Sequence, residues 1–140
     1  MIDISMIKKE IASIQDDLSH LAEFTNYSFD EIAKDYTLHK AVERIIEVII
    51  NEAIDINQHI IVQSNKKQLP FNFKESFLLL ADLGVYPKEF AQQISLSVGL
   101  RNILVHEYRE LDQTIFYQSI KDCFSEYTRY CKYILEYSAH

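Results

Sequence analysis

The sequence predicts an all-α protein, an antiparallel bundle of about five helices, and three observations carry that expectation. Two Gly and two Pro in 140 residues leave few places for the chain to turn. Long tracts of Ile, Leu, Glu, Lys and Gln favour helix, and the apolar residues recur at steps of three and four, the period of one helical face. A chain of this length with 48% hydrophobic residues is expected to form one domain, 1–140, whose core needs no covalent staples.

Ile4, Ile7, Ile11, Ile14, Leu18 and Leu21 form one stripe of a first helix running from about residue 2 to 25. A polar break around Asn26–Ser28 leads into a second segment that bends near Asp35-Tyr36-Thr37. The strongest helix follows, with Val42, Ile45, Ile46, Ile49, Ile50, Ala53, Ile54, Ile56, Ile60 and Ile61 making a stripe wide enough to pack on two sides. Asn65-Lys66-Lys67-Gln68-Leu69-Pro70 reads as a loop, and Asn72 with Glu75 as a capping box for a short helix to about Asp82. Gly84 and Pro87 delimit a connector, with Pro87 at a first helical position. A fourth helix then runs from about Lys88 to the segment Arg101–Tyr108. Asp112 or Thr114 caps a last helix carrying Phe116, Ile120, Cys123, Tyr127, Tyr130, Ile134 and Tyr137 in a four-three rhythm. Such stripes suit bundle crossings of ~20°.

With 14 basic and 21 acidic residues, the formal charge of −7 provides no general attraction to nucleic acid or anionic lipid, so any such site must be a local basic pocket. Cys123 and Cys131 are eight residues apart on one helix, too far along its axis to bridge and without the paired spacing of a zinc site. They read as reduced core thiols, the pattern of a cytoplasmic protein. The amphipathic, early-charged Met1–Glu10 segment lacks a signal-peptide core, and no apolar run approaches the ~20 residues of a membrane span. The expectation is a soluble protein.

Arg101-Asn102-Ile103-Leu104-Val105-His106-Glu107-Tyr108 gathers a guanidinium, an amide, an imidazole and a phenol near a helix end. Those groups suit a scissile phosphate. Metal-free RNA cleavage needs a base for the ribose 2′-OH, an acid for the leaving 5′-oxygen and positive charge for the phosphorane. On an ideal helix Arg101 and Tyr108 nearly eclipse, Asn102 and His106 share a neighbouring face, and Arg101 and His106 differ by ~140°. One straight helix cannot aim all four inward. Either the helix ends or loosens near Val105, or a two-fold dimer brings two copies of the motif around one cleft.

These residues carry a family likeness. His39-Lys40-Ala41-Val42-Glu43-Arg44 with Ile45–Ile56, then Phe73–Leu80, then Gly99–Tyr108, resemble in order the blocks of HEPN-domain ribonuclease toxins of the HepT kind, partnered by a minimal, MntA-like nucleotidyltransferase antitoxin. Residues 1–36 match only in helical character. The resemblance implies a HEPN-like homodimeric bundle that cleaves RNA, tRNA being one class, without metal or cofactor, as the toxin of a type VII toxin–antitoxin system. Arg101 and His106 match the catalytic pair and Asn102 the polar position after the arginine. Tyr108 matches the tyrosine that the antitoxin adenylylates. The AMP would add charge and bulk beside the site and repel the RNA backbone. Further assembly of the homodimer with its antitoxin is also implied, as is the absence of any membrane partner.

Blander readings stand beside these. Arg101 can serve as the partner of a helical carboxylate, and His106 as a cap on a helix C-terminus. The runner-up function is a non-catalytic helical module that docks a nucleotidyltransferase or its substrate. Asp55 and His59 have metal-ligand spacing but no third ligand, so they read as a surface pair. Glu43 and Glu47 read as a solvated face, with Glu43 a candidate brace for Arg101. The tyrosines of the last helix are expected to pack in the core with hydroxyls at the rim rather than to stack on bases. Lys66, Lys67, Arg109, Lys121 and Arg129 are candidate phosphate contacts; His20, His39 and His140 receive no role.

Overall fold

Helix starts in this protein are set by short polar side chains that satisfy the first free backbone N–H groups. The computed structural model describes residues 2–64, 70, 72–106 and 112–139, without the side chains of Val105 and His106. The expected loop at Asn65–Leu69, Tyr108, Arg109 and His140 therefore lie outside the described residues. Asp3 accepts from Met6 N–H (3.1 Å) and opens α1 (Ile4–Glu23), which a 3-10 turn at Phe24–Asn26 prolongs. Ser28 and Glu31 form a reciprocal capping box at α2 (Phe29–Lys34). Asp35 ends α2 and caps α3 (Tyr36–Gln63) by accepting from Leu38 N–H, so the bend expected near Asp35 is a break between two helices.

Asn72 accepts from Glu75 N–H (2.8 Å) at the start of α4 (Phe73–Asp82), as its spacing implied. Gly84 follows α4 at φ +84°, a left-handed conformation that a side chain disfavours, and its N–H donates to Ala81 O. Pro87 lies one position outside the helix, capping α5 (Lys88–Ser95) rather than opening it. Asp112 alone supplies the side-chain cap of α7 (Gln113–Ser138), accepting from Thr114 and Ile115 N–H.

The expected fourth helix is two helices. α5 stops at Ser95 and α6 (Ser97–His106) begins after Leu96. At the junction Leu96 N–H donates to Gln93 O and Gly99 N–H to Leu96 O, tight i to i+3 bonds in place of the α-helical pattern. The hydroxyls of Ser95 and Ser97 donate back to Gln92 O and Ile94 O on either side of the junction. Seven α-helices and one 3-10 helix are thus present among the described residues.

Asp3 N–H donates to His59 Nε2 and Ser13 Oγ to Glu52 Oε1, so α1 and α3 run antiparallel. Tyr130 bonds to Ala53 and Asn57 while His39 meets Gln113, which sets α7 parallel to α3, as alternate limbs of an up-and-down order must be. The stripes expected on α1, α3 and α7 face one another in a core that also takes Phe77, Leu80, Tyr86, Phe90 and Ile94.

Two tyrosines depart from expectation. Tyr127 and Tyr130 are fully buried, and their hydroxyls bond inside the core rather than at its rim. Tyr127 OH pairs with Ser97 Oγ (2.6 Å), and Tyr130 OH donates to Ala53 O and to Asn57 Oδ1, which itself belongs to an amide donating to Ser76 Oγ. Cys123 and Cys131 are free and buried; burial pushes the Cys131 thiol up to about 12 and Cys123 up as well, which leaves both unreactive. No described helix is long and apolar enough to cross a membrane.

Candidate active site

Ser97, Val98 and Leu104 are buried and hold α6 against the bundle. Arg101 follows Ser97 by one turn, so its stem enters the seam between α6 and α3 and it is half-buried. There the Arg101 Nε–H donates to Asn51 Oδ1 of α3 at 3.0 Å, and Nη1 donates to Asn102 Oδ1 at 3.2 Å. The guanidinium carbon stands 5.4 Å from the centre of the Phe73 ring, at the first residue of α4. A guanidinium carries five N–H donors, and these two bonds engage only Nε and one position of Nη1. Among the described residues no carboxylate pairs with Arg101, so the bland reading of a helical ion pair fails for those residues.

Asn102 is exposed beside this guanidinium. α6 spans Ser97–His106, so its described end falls one residue past Val105, near the end expected from sequence, and within the helix the backbone positions of 101 and 106 are about 140° apart around the axis. The imidazole of His106 and the whole of Tyr108 lie outside the described residues. The described part of the motif is therefore Arg101 and Asn102, brought together with Asn51 and Phe73.

Asn51 was not selected from sequence, although Glu43, Glu47 and Asn51 follow one another at steps of four on α3. Glu43 does not brace Arg101. It lies eight residues before Asn51, about 12 Å along the helix, and is buried with its Oε1 2.7 Å from His39 Nδ1 and its Oε2 3.4 Å from Lys40 Nζ. The solvated face expected of Glu43 is thus a buried ion pair, and His39, given no role from sequence, is its partner. Glu47 is half-buried and pairs with Arg44 (3.4 Å).

His59 accepts from the Asp3 backbone rather than meeting a metal, and no three His, Cys, Asp or Glu side chains gather as a metal site among the described residues. Of the candidate phosphate contacts, Lys121 is exposed and Arg129 is exposed with its guanidinium 4.7 Å from the Phe90 ring centre. Lys66, Lys67 and Arg109 lie outside the described residues. Between α1 and α3, burial and mutual repulsion hold the Glu10 carboxyl above its ordinary range, with Asp55 and Glu52 as the repelling charges. Asp17 and Glu52 are raised likewise, burial again first. That acidic face disfavours a polyanion.

A model of the family described as "Ribonuclease HepT-like" matches residues 14–134. A relative named tRNA nuclease HepT, from Aphanizomenon flos-aquae, is 35% identical over 120 residues, covering 86% of this chain and 81% of its own. A second, mRNA nuclease HepT from Shewanella oneidensis, is 33% identical over 88 residues, covering 61% and 63%. Among solved structures, the tri-AMPylated Shewanella oneidensis HEPN toxin in complex with MNT antitoxin superimposes with a TM-score of 0.83 at 27% identity, covering 96% of this chain and 98% of that one.

Proposed function

The chain belongs to the HepT-like ribonuclease family, and from that premise we propose that it is the endoribonuclease toxin of a type VII toxin–antitoxin system. It cuts RNA without metal, using Arg101, Asn102 and His106 where two subunits meet, and a minimal nucleotidyltransferase antitoxin silences it by adenylylating Tyr108. The observation that carries this reading is the state of Arg101. Its guanidinium is anchored by two neutral amides and offered with no carboxylate partner among the described residues, so its full charge is available to a phosphate.

The chemistry follows from what each group can do. The ribose 2′-oxygen attacks phosphorus, one imidazole takes the 2′ proton, and the P–O5′ bond breaks as a second imidazole protonates the departing 5′-oxygen. The products are a 2′,3′-cyclic phosphate and a 5′-hydroxyl. Arg101 supplies positive charge where the phosphorane gains negative charge. Each subunit carries one histidine in this motif, so a second subunit provides the other imidazole. The tRNA and mRNA nucleases among the relatives support RNA as the substrate class.

The AMPylated relative bound to its MNT antitoxin supports the mode of control. The antitoxin joins the Tyr108 oxygen to the α-phosphorus of ATP and releases pyrophosphate. The nucleotide then sets fixed negative charge beside Arg101 and occupies the RNA path.

The test is His106→Ala. We expect it to abolish cleavage of cellular RNA and growth arrest while dimerisation and antitoxin binding persist. Wild-type protein that is free of modification, binds its antitoxin and cleaves no cellular RNA would overturn the reading in favour of a docking module.

A further inference from the structure

We infer that Asn51 is the positioning residue for Arg101, fixing the guanidinium plane from α3 so that its remaining N–H groups face the scissile phosphate. The inference rests on the reading of Arg101 as the phosphate-binding group. Three contacts from separate elements lead to it. The Nε–H, the donor nearest the flexible stem, is held at 3.0 Å by Asn51 Oδ1, which restricts rotation of the terminal plane. Nη1 is held on one side by Asn102 Oδ1 at 3.2 Å, and the Phe73 ring lies 5.4 Å from the guanidinium carbon. Among the described residues, Nη2 and one Nη1 hydrogen remain.

The chemistry of the anchor matters as much as its place. A carboxylate at position 51 would hold the same N–H but cancel the charge that the phosphorane needs, whereas an amide carbonyl orients the group and leaves its charge intact. Asparagine is also a poor choice for the interior of a helix. α3 carries two such residues, Asn51 and Asn57. Asn57 is accounted for by its buried bonds to Tyr130 and Ser76. Asn51 is accounted for by Arg101. Its position is rigid, since α3 is 28 residues long and packs against α1, α4, α6 and α7.

The experiment compares wild type, Asn51→Ala, Arg101→Ala, Arg101→Lys and Asn51→Ala/Arg101→Lys, each purified free of AMP. Two quantities are read: the single-turnover rate on total cellular RNA, and solvent exchange of the Arg101 Nε–H by nitrogen-15 NMR. We expect Asn51→Ala to slow cleavage about 10- to 100-fold and to expose the Nε–H to exchange. In the Arg101→Lys background, where no Nε–H remains, removing Asn51 should add no further loss.

Wild-type cleavage by Asn51→Ala with Arg101→Ala inactive overturns the positioning role and leaves the catalytic reading standing. Wild-type cleavage by Arg101→Ala overturns both. If Asn51→Ala does not fold, Asn51→Asp decides. It keeps an acceptor of the same size, so a protected Nε–H together with slowed cleavage supports the role, and an exchanging Nε–H overturns it.

Discussion

His39 Nδ1 lies 2.7 Å from Glu43 Oε1, one turn along α3, with both side chains buried. The other imidazole nitrogen is 3.0 Å from Gln113 Oε1, and the ring stacks on Phe116 at 4.4 Å. This cluster ties the first turns of α3 to the first turns of α7, shortly after the Arg101–Tyr108 segment in sequence. Removing the His39 ring takes the nearer partner from the buried Glu43 carboxyl, leaves Lys40 Nζ at 3.4 Å and opens a space beside Phe116. His39→Ala should therefore lose about 3 kcal/mol in urea unfolding, and His39→Ala combined with Glu43→Leu should recover most of it. A single-mutant loss below about 0.5 kcal/mol, the level of a surface change, would show that the pair does not hold α7.

Tyr130→Phe tests the polar knot in the core. The hydroxyl donates to Ala53 O and Asn57 Oδ1, and its removal leaves buried acceptors without that donor. A loss of about 1–2 kcal/mol is expected. Tyr117→Phe, whose hydroxyl donates to Tyr27 O at a half-buried position, should lose less. Equal losses in the two variants would contradict the role given to burial.

Glu126 gives a pH dependence of definite sign. Burial, with repulsion from Asp122 and against the pull of Arg129, pushes its carboxyl up to about 7 from an ordinary 4.5. Between those values the unfolded chain releases the proton while the folded chain keeps it, so this residue lowers stability as pH rises from about 4.5 to 7. Glu126→Gln should be neutral at pH 4 and stabilising by about 1 kcal/mol at pH 8, allowing for solvent screening. Thermal melts at both pH values check this. Stabilisation at pH 4 alone would reverse the assigned sign.

What the sequence disclosed was whatever depends on neighbours within two turns. Ile7, Ile11, Ile14, Leu18 and Leu21 are buried as their spacing implied, whereas Ile4 at the head of the same stripe is exposed, and Asn72 and Asp112 cap the helices they precede. The break at Leu96 was hidden because no Gly or Pro marks it, and Ser97 beside it meets Tyr127, 30 residues away. His39 was given no partner from sequence although Glu43 stands four residues on, because the burial that joins them is set by Phe116 and Gln113 of α7. Asn51 was hidden for the same reason, since its partner Arg101 is 50 residues distant.

Control by modification gives a further expectation. Tyr108→Phe lacks the oxygen that accepts AMP, so when co-produced with the nucleotidyltransferase it should stay at its unmodified mass and remain toxic. Mass spectrometry and growth curves read this out. AMP mapped to another residue, with toxicity suppressed, would remove Tyr108 from the account.

The ends of the cut RNA report the chemistry itself. Cellular RNA incubated with unmodified protein in excess chelator should carry 2′,3′-cyclic phosphate and 5′-hydroxyl ends at each cut, and Arg101→Ala and His106→Ala should produce none. Cuts bearing 3′-hydroxyl and 5′-phosphate ends, cleavage that stops with chelator, or cleavage that survives both substitutions would contradict a guanidinium–imidazole site acting on the 2′-oxygen.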